Sequence, residues 1–120
     1  MPKGKILVVD DSPTQLNLMR LPFEENGFQV ITATDGEEAI AIVESSDVVL
    51  VVLDVIMPKL NGFQACRKIK TIKSDLPVIL LTSKNQKSDE FWGKKQGADV
   101  YMTKPFDSKE LFETAIRLIS

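Results

Sequence analysis

ILVVDDSP, residues 6–13, decides the fold. Four aliphatic residues, Ile6, Leu7, Val8 and Val9, stop abruptly at two carboxylates, Asp10 and Asp11. Ser12 then offers a helix N-cap, with Pro13 at the first helical position. A short run that is continuously apolar suits a strand covered on both faces, and such strands belong to parallel sheets. The acid pair therefore falls at the carboxyl end of a strand, where open parallel sheets bind their ligands.

Outward from that stretch the pattern repeats. Further apolar runs lie at Phe28 to Thr32, Val49 to Leu53, Val78 to Leu81 behind Pro77, and Val100 to Met102. The run at Phe28 is mixed in polarity, as an edge strand would be. Helical signals fill the intervals. The first helix runs from Ser12 to about Asn26, where Gly27 stops it, and Pro22 predicts a bend inside it because proline removes a backbone hydrogen bond. Asp35 and Gly36 precede a second helix. Asn61 caps a third, in which Ala65, Ile69 and Ile72 share one face, and a fourth lies near Ser88 to Gln96. Asp107 caps the fifth, with Glu110 as its capping-box partner and Phe112, Ala115, Ile116 and Ile119 as its apolar stripe. This alternation predicts one α/β domain over residues 1–120. The expected architecture is a doubly wound, five-stranded parallel sheet in the order 2-1-3-4-5, flanked by five helices.

Composition agrees and narrows the chemistry. A chain of 120 residues is the size of one domain, and 43% hydrophobic with 27% charged residues is ordinary for a globular protein that folds unaided. A net charge of -2 gives no field to attract nucleic acid or an acidic membrane. With no His in the chain, imidazole catalysis and imidazole metal ligation are excluded. Cys66 is the sole cysteine, so it cannot form an internal disulfide, and it reads as a packed residue of the third helix. The longest apolar run, Val48 to Leu53, falls far short of the ~20 residues of a membrane span. A cytoplasmic, soluble protein without membrane insertion is expected.

Asp10 and Asp11 after the first strand and Asp54 after the third meet at the switch point of the proposed topology. Two like charges about 4 Å apart repel by roughly 4 kcal/mol at an effective dielectric near 20, so three carboxylates call for a proton or a cation. An all-oxygen set selects a hard ion, and Mg²⁺ favours a few carboxylates together with phosphate oxygens. Thr82 and Ser83 follow the fourth strand, and Lys104 and Pro105 the fifth. A hydroxyl that donates and an ammonium that balances charge are what a phosphoryl group needs. Each residue alone reads as a cap, a turn or a loop; four strand ends supplying complementary groups to one crevice carry the argument.

The segments Ile6-Leu7-Val8-Val9-Asp10-Asp11-Ser12, Leu53-Asp54-Val55-Ile56-Met57-Pro58 with Asn61-Gly62, Leu81-Thr82-Ser83, and Tyr101-Met102-Thr103-Lys104-Pro105-Phe106 resemble the receiver domain of two-component response regulators. The resemblance covers essentially the whole chain, and the single-domain chemotaxis regulator is its plainest example. It implies that Asp54 accepts a phosphoryl group, that Asp11 binds Mg²⁺ directly and Asp10 mainly through water, and that the carbonyl of Ile56 is a further ligand. It also implies that Thr82 and Tyr101 form the switch, that Lys104 contacts the phosphoryl oxygens, and that the Lys104-Pro105 bond is cis. The implied partners are a sensor histidine kinase or phosphotransfer protein and a downstream target, met through the fourth helix, fifth strand and fifth helix. Asn61-Gly62-Phe63-Gln64-Ala65 and Trp92-Gly93-Lys94-Lys95-Gln96-Gly97-Ala98 look most like regulators of pilus-based twitching motility.

Two positions bear on the lifetime of the phosphorylated state. Ile56, two after Asp54, stands where the chemotaxis regulator has a polar amide. Its side chain cannot orient a water, which predicts slow turn-off. Lys84, two after Thr82, stands near the same approach path and is assigned no sign. Because the chain stops at Ser120, just past the fifth helix, its output is expected to be protein binding.

Two rivals share the fold class. A haloacid-dehalogenase-type phosphatase carries an acid/base aspartate two residues after its nucleophile, whereas Val55 and Ile56 follow Asp54. A flavodoxin-like carrier has a phosphate loop rich in Ser, Thr and Gly where this chain has Asp10-Asp11. The expected protein is a signalling acceptor and not an enzyme, with at most autocatalytic phosphotransfer and slow autodephosphorylation.

Overall fold

The structure is a computed structural model that describes residues 4–119, so residues 1–3 and 120 of the expected domain lie outside the described residues. Strands and helices alternate throughout. They are β1 (Lys5–Val9), α1 (Pro13–Glu24), β2 (Gln29–Ala33), α2 (Gly36–Ser45), β3 (Val48–Leu53), α3 (Gly62–Ile72), β4 (Val78–Thr82), α4 (Lys87–Lys95), β5 (Val100–Thr103) and α5 (Ser108–Ile119). The five strands form one sheet in the order β2-β1-β3-β4-β5, and every pairing is parallel. The expected fold is the one found.

Register brings the strand ends level. Val9 lies opposite both Ala33 and Leu53, Leu53 opposite Leu80, and Thr82 opposite Thr103. The next residues, Asp10, Asp54 and Lys104, continue the ladder: their amides donate to Ala33 O, Val9 O and Thr82 O at 3.1, 3.0 and 2.8 Å. The groups that follow the strands are thus pinned by the sheet itself.

Side chains alternate across the sheet, as period two requires. Leu7, Val9, Val51, Leu53 and Leu80 pack with Ala39 and Val43 of α2 and with Ala65 and Ile69 of α3. Ile6, Val8, Leu50, Val52, Ile79 and Leu81 pack on the opposite face with Met19 and Phe23 of α1 and with Leu111 and Ala115 of α5. Nearly all of these side chains have no accessible surface, and each large one contributes about 1.5–3 kcal/mol by leaving water. Phe23, Phe28 and Phe112 close that second face with edge-on and tilted contacts at 6.2–6.3 Å between centroids.

Local boundaries differ from the sequence expectation for identifiable reasons. β2 begins one residue later than Phe28, because Phe28 N bonds back to Phe23 O across Gly27, which lies at φ 88°. α1 runs as one helix through Pro22 and ends at Glu24, short of Asn26, whose Nδ2 donates to the Pro22 carbonyl at 2.7 Å. In α3, Ile72 is the terminal residue and is 40% exposed, so it leaves the face shared by Ala65 and Ile69. In α5 the fully buried residues are Leu111 and Ala115, of which Leu111 lies outside the expected stripe. Asp107 Oδ1 accepts from Lys109 N at 2.8 Å, at the second helical position rather than the third that Glu110 occupies, so the cap is made without the expected box. A complete box stands on α3 instead, where Asn61 and Gln64 exchange bonds of 2.9 and 3.2 Å.

Candidate functional site

Asp10, Asp11 and Asp54 converge at the carboxyl edge of the sheet, with one oxygen from each lying within 4.8 Å of the others. Asp10 and Asp54 are 1% and 7% exposed, whereas Asp11 is open to solvent. The two oxygens of Asp54 have different tasks. Oδ1 accepts from the amides of Val55 and Ile56 at 2.7 and 3.4 Å, while Oδ2 faces the Lys104 ammonium at 3.2 Å. Lys104 also donates to Asp10 Oδ2, so one cation bridges two nearly buried carboxylates. Asp10 Oδ1 in turn accepts from Ser12 N at 3.0 Å. Burial is the largest influence on Asp10 and lifts its carboxyl above the ordinary value, helped by the Asp54 charge and opposed by Lys104 and the Ser12 amide.

The loop after β3 is held in place at both ends. Gly62 N donates to Val55 O at 2.8 Å, and a Cβ on Gly62 would stand 2.0 Å from the Asp54 carbonyl oxygen. Only glycine allows α3 to start that close to Asp54. Upstream of it, Lys59 adopts φ 67°, the left-handed region that side chains rarely occupy, and its ammonium sits 3.6 Å from Asp35 Oδ2. Asp35 caps α2 by accepting from Glu38 N at 2.8 Å, and that bond, followed by the Lys59 charge, holds its carboxyl below the ordinary value. The loop carrying Ile56 is therefore fastened to α2 as well as α3.

Thr82 is fully buried, and its Oγ1 accepts from Lys84 N at 3.4 Å. The Tyr101 hydroxyl donates to the Lys84 carbonyl at 2.8 Å, so Thr82 and Tyr101 meet at one residue. The Lys84 ammonium is 3.7 Å from Asp89 Oδ1 on α4 rather than at the carboxylate cluster. The Lys104-Pro105 peptide bond is cis.

The donor set fits magnesium. Octahedral Mg²⁺ with oxygens at about 2.0–2.1 Å spans about 4.1 Å across its shell, so small side-chain rotations bring a cluster of this spread into range. Ile56 touches Asp54 here through its amide, and its side chain is 53% exposed. Sequence reading missed the Val55 amide, the Asp35–Lys59 clasp and the steric role of Gly62. The glycine at the start of a helix was the one available signal. The clasp has none, since the partners lie in different loops.

Residues 6–116 match the response regulator receiver domain family. The chain is 42% identical to Protein PilH of Pseudomonas aeruginosa over 113 residues, which are 92% of this chain and 93% of that one. It is 44% identical over 107 residues to the alkaline phosphatase synthesis transcriptional regulatory protein PhoP of Bacillus subtilis, covering 89% of this chain but 45% of PhoP, so it spans about half the length of that relative. Among solved structures it is similar to the BeF3-activated DrrB receiver domain, with TM-score 0.90, 33% identity and coverage of 98% and 97% of the two chains. The receiver domain of Francisella response regulator 1452 is similar too, with TM-score 0.91, 32% identity and the same coverage. The chain belongs to the response regulator receiver domain family of two-component systems.

Proposed function

We propose that this chain is a phosphoacceptor switch in which Asp54 receives a phosphoryl group from a histidine kinase, a phosphotransfer protein or a small acyl-phosphate donor. The observation that carries the reading is the asymmetry of the Asp54 carboxylate. Oδ1 is held by two backbone amides, which leaves Oδ2 as the attacking oxygen beside Lys104. A P–O bond to Oδ2 forms as the donor's P–N or P–O bond breaks, and the electron pair leaves with the donor. Lys104 is already within reach of the oxygens that would carry the arriving negative charge, and Thr82 is the hydroxyl at the neighbouring strand end. Asp10, Asp11, Asp54 and the Ile56 carbonyl would hold Mg²⁺, which supplies charge neutralisation when bound.

The output is a change in protein binding at α4, β5 and α5, coupled to the site through Thr82 and Tyr101. The chain acts as an acceptor and not as a multiple-turnover enzyme, because Val55 and Ile56 offer no acid/base carboxylate after Asp54. No helix among the described residues is long and apolar enough to cross a membrane, and we place the protein in the cytoplasm with kinase and target as its partners. The likeness to PilH along nearly both chains, with the Asn61–Ala65 and Trp92–Ala98 segments, supports a role in pilus-based motility. Incubation with an acyl-phosphate donor and Mg²⁺ tests the acceptor: the wild type gains one base-labile phosphate and Asp54→Asn gains none. Undiminished labelling of Asp54→Asn overturns the assignment.

A further inference from the structure

Gly93 is the one buried residue of α4, and it lies mid-helix, where glycine costs roughly 0.5–1 kcal/mol relative to alanine. Space explains it. A Cβ there would stand 2.8 and 3.1 Å from Tyr101 Cδ2 and Cε2 and 2.9 Å from Leu80 Cδ1. The Tyr101 ring therefore lies against bare helix backbone, and from that position its hydroxyl reaches the Lys84 carbonyl at 2.8 Å. Lys84 N bonds Thr82 Oγ1, so the position of the ring is tied to the hydroxyl beside the acceptor site.

We propose that Gly93 is a positioning residue of the switch: its missing side chain is the socket that admits Tyr101 inward against α4 and lets it bond the loop after β4. The inference rests on reading Thr82 and Tyr101 as the coupled pair. The socket adds a requirement on α4 itself, since any side chain at 93 pushes the ring outward and separates its hydroxyl from Lys84, whatever the state of Asp54. The inward ring also explains the tyrosine's acidity. Burial lifts it to about 12, and Asp89 and Glu90 of α4 and Asp54 after β3 add to the rise. Lys87, Asp107 and Glu110 line the same cavity and are its remaining charged groups.

The chain has one tyrosine, so phenolate absorbance after a rapid pH jump reads Tyr101 alone. In the wild type the midpoint is expected at about 12. In Gly93→Ala it is expected to fall toward the ordinary value of about 10, with acyl-phosphate labelling of Asp54 unchanged. A midpoint that stays near the wild-type value overturns the socket. Thermal melts provide a second arm that holds even if Gly93→Ala folds poorly. In a Tyr101→Ala background the same change should lower the melting temperature clearly less than in the wild type, because the ring contact is gone and only the Leu80 Cδ1 contact at 2.9 Å remains; an equal or larger fall in that background also overturns the proposal. Failure of Asp54 labelling in the wild type would condemn the acceptor assignment alone, because the titration needs no phosphate.

Discussion

Gly62→Ala tests whether the acceptor is positioned by backbone contact. The added Cβ would stand 2.0 Å from Asp54 O, 2.7 Å from Val55 Cα and 2.8 Å from Asp54 C, all main-chain atoms with no rotamer to escape into. Restoring ordinary contact takes about 1.4 Å of movement, an overpacking that costs about 1–3 kcal/mol. The shift also stretches the 2.8 Å Gly62 N to Val55 O bond, worth about 1 kcal/mol. Together these give about 2–4 kcal/mol, and at roughly 4 °C per kcal/mol for a domain of this size the melting temperature should fall by about 8–16 °C. Because the displaced atoms belong to Asp54 and Val55, the amide that fixes Oδ1 moves with them. A misplacement of about 1 Å at a reacting group can cost about 100-fold in rate, so acyl-phosphate labelling should slow by about that factor at a temperature where the variant is folded. Circular-dichroism melts and labelling time courses read the two effects. A melting temperature within about 2 °C of wild type, with labelling within about twofold, would show that the α3–acceptor contact is soft and the reasoning wrong.

Other outcomes follow from the same geometry. Asp11→Ala should weaken Mg²⁺ affinity by at least about tenfold while leaving the melting temperature equal or higher, because it removes a ligand and a crowding charge together; unchanged affinity in a metal titration would remove Asp11 from the ligand set. Ile56→Asn should shorten the lifetime of the phosphorylated protein several-fold without kinase or phosphatase, by placing an amide where it can orient water, and equal or slower decay would refute water exclusion. Burial pushes the Cys66 thiol up to about 12, so native protein at pH 8 should resist a disulfide reagent and react only on unfolding. Since the unfolded thiol ionises at about 9 and the native one near 12, Cys66 stabilises the fold fully below the lower value and loses that contribution as pH rises between them. Rapid labelling of the folded protein at pH 8 would contradict that burial.

Much of this was legible in the sequence. Apolar runs that stop at carboxylates or hydroxyls located four of the strand ends, and strand alternation then placed Asp10, Asp54, Thr82 and Lys104 on one edge. What stayed hidden depended on distances between separate segments. Nothing in the spacing of Lys59 and Asp35 announces their pairing, and Lys84 could be assigned no sign until Asp89 proved to hold its ammonium. Lys104 shows the same limit: its place beside Asp54 was readable, but its bridge to Asp10 was not. The α5 stripe omitted Leu111 because the turns of a helix fix its faces only once the neighbour is known, and here that neighbour is the β1–β3 side of the sheet.

α4 is bound to the molecule unlike its neighbours. α3 sinks Ala65, Cys66 and Ile69 into one core, whereas α4 contributes only Gly93 and leaves Phe91 and Trp92 63% and 52% exposed. An element with so little apolar anchorage opens at a free energy well below that of global unfolding. Its amides should exchange with solvent through local opening while those of β1 and β3 wait for the whole domain to unfold. Substitutions on its outer face touch neither core, so in this chain that face can change over many residues while the contacts that hold Asp54 keep their stability.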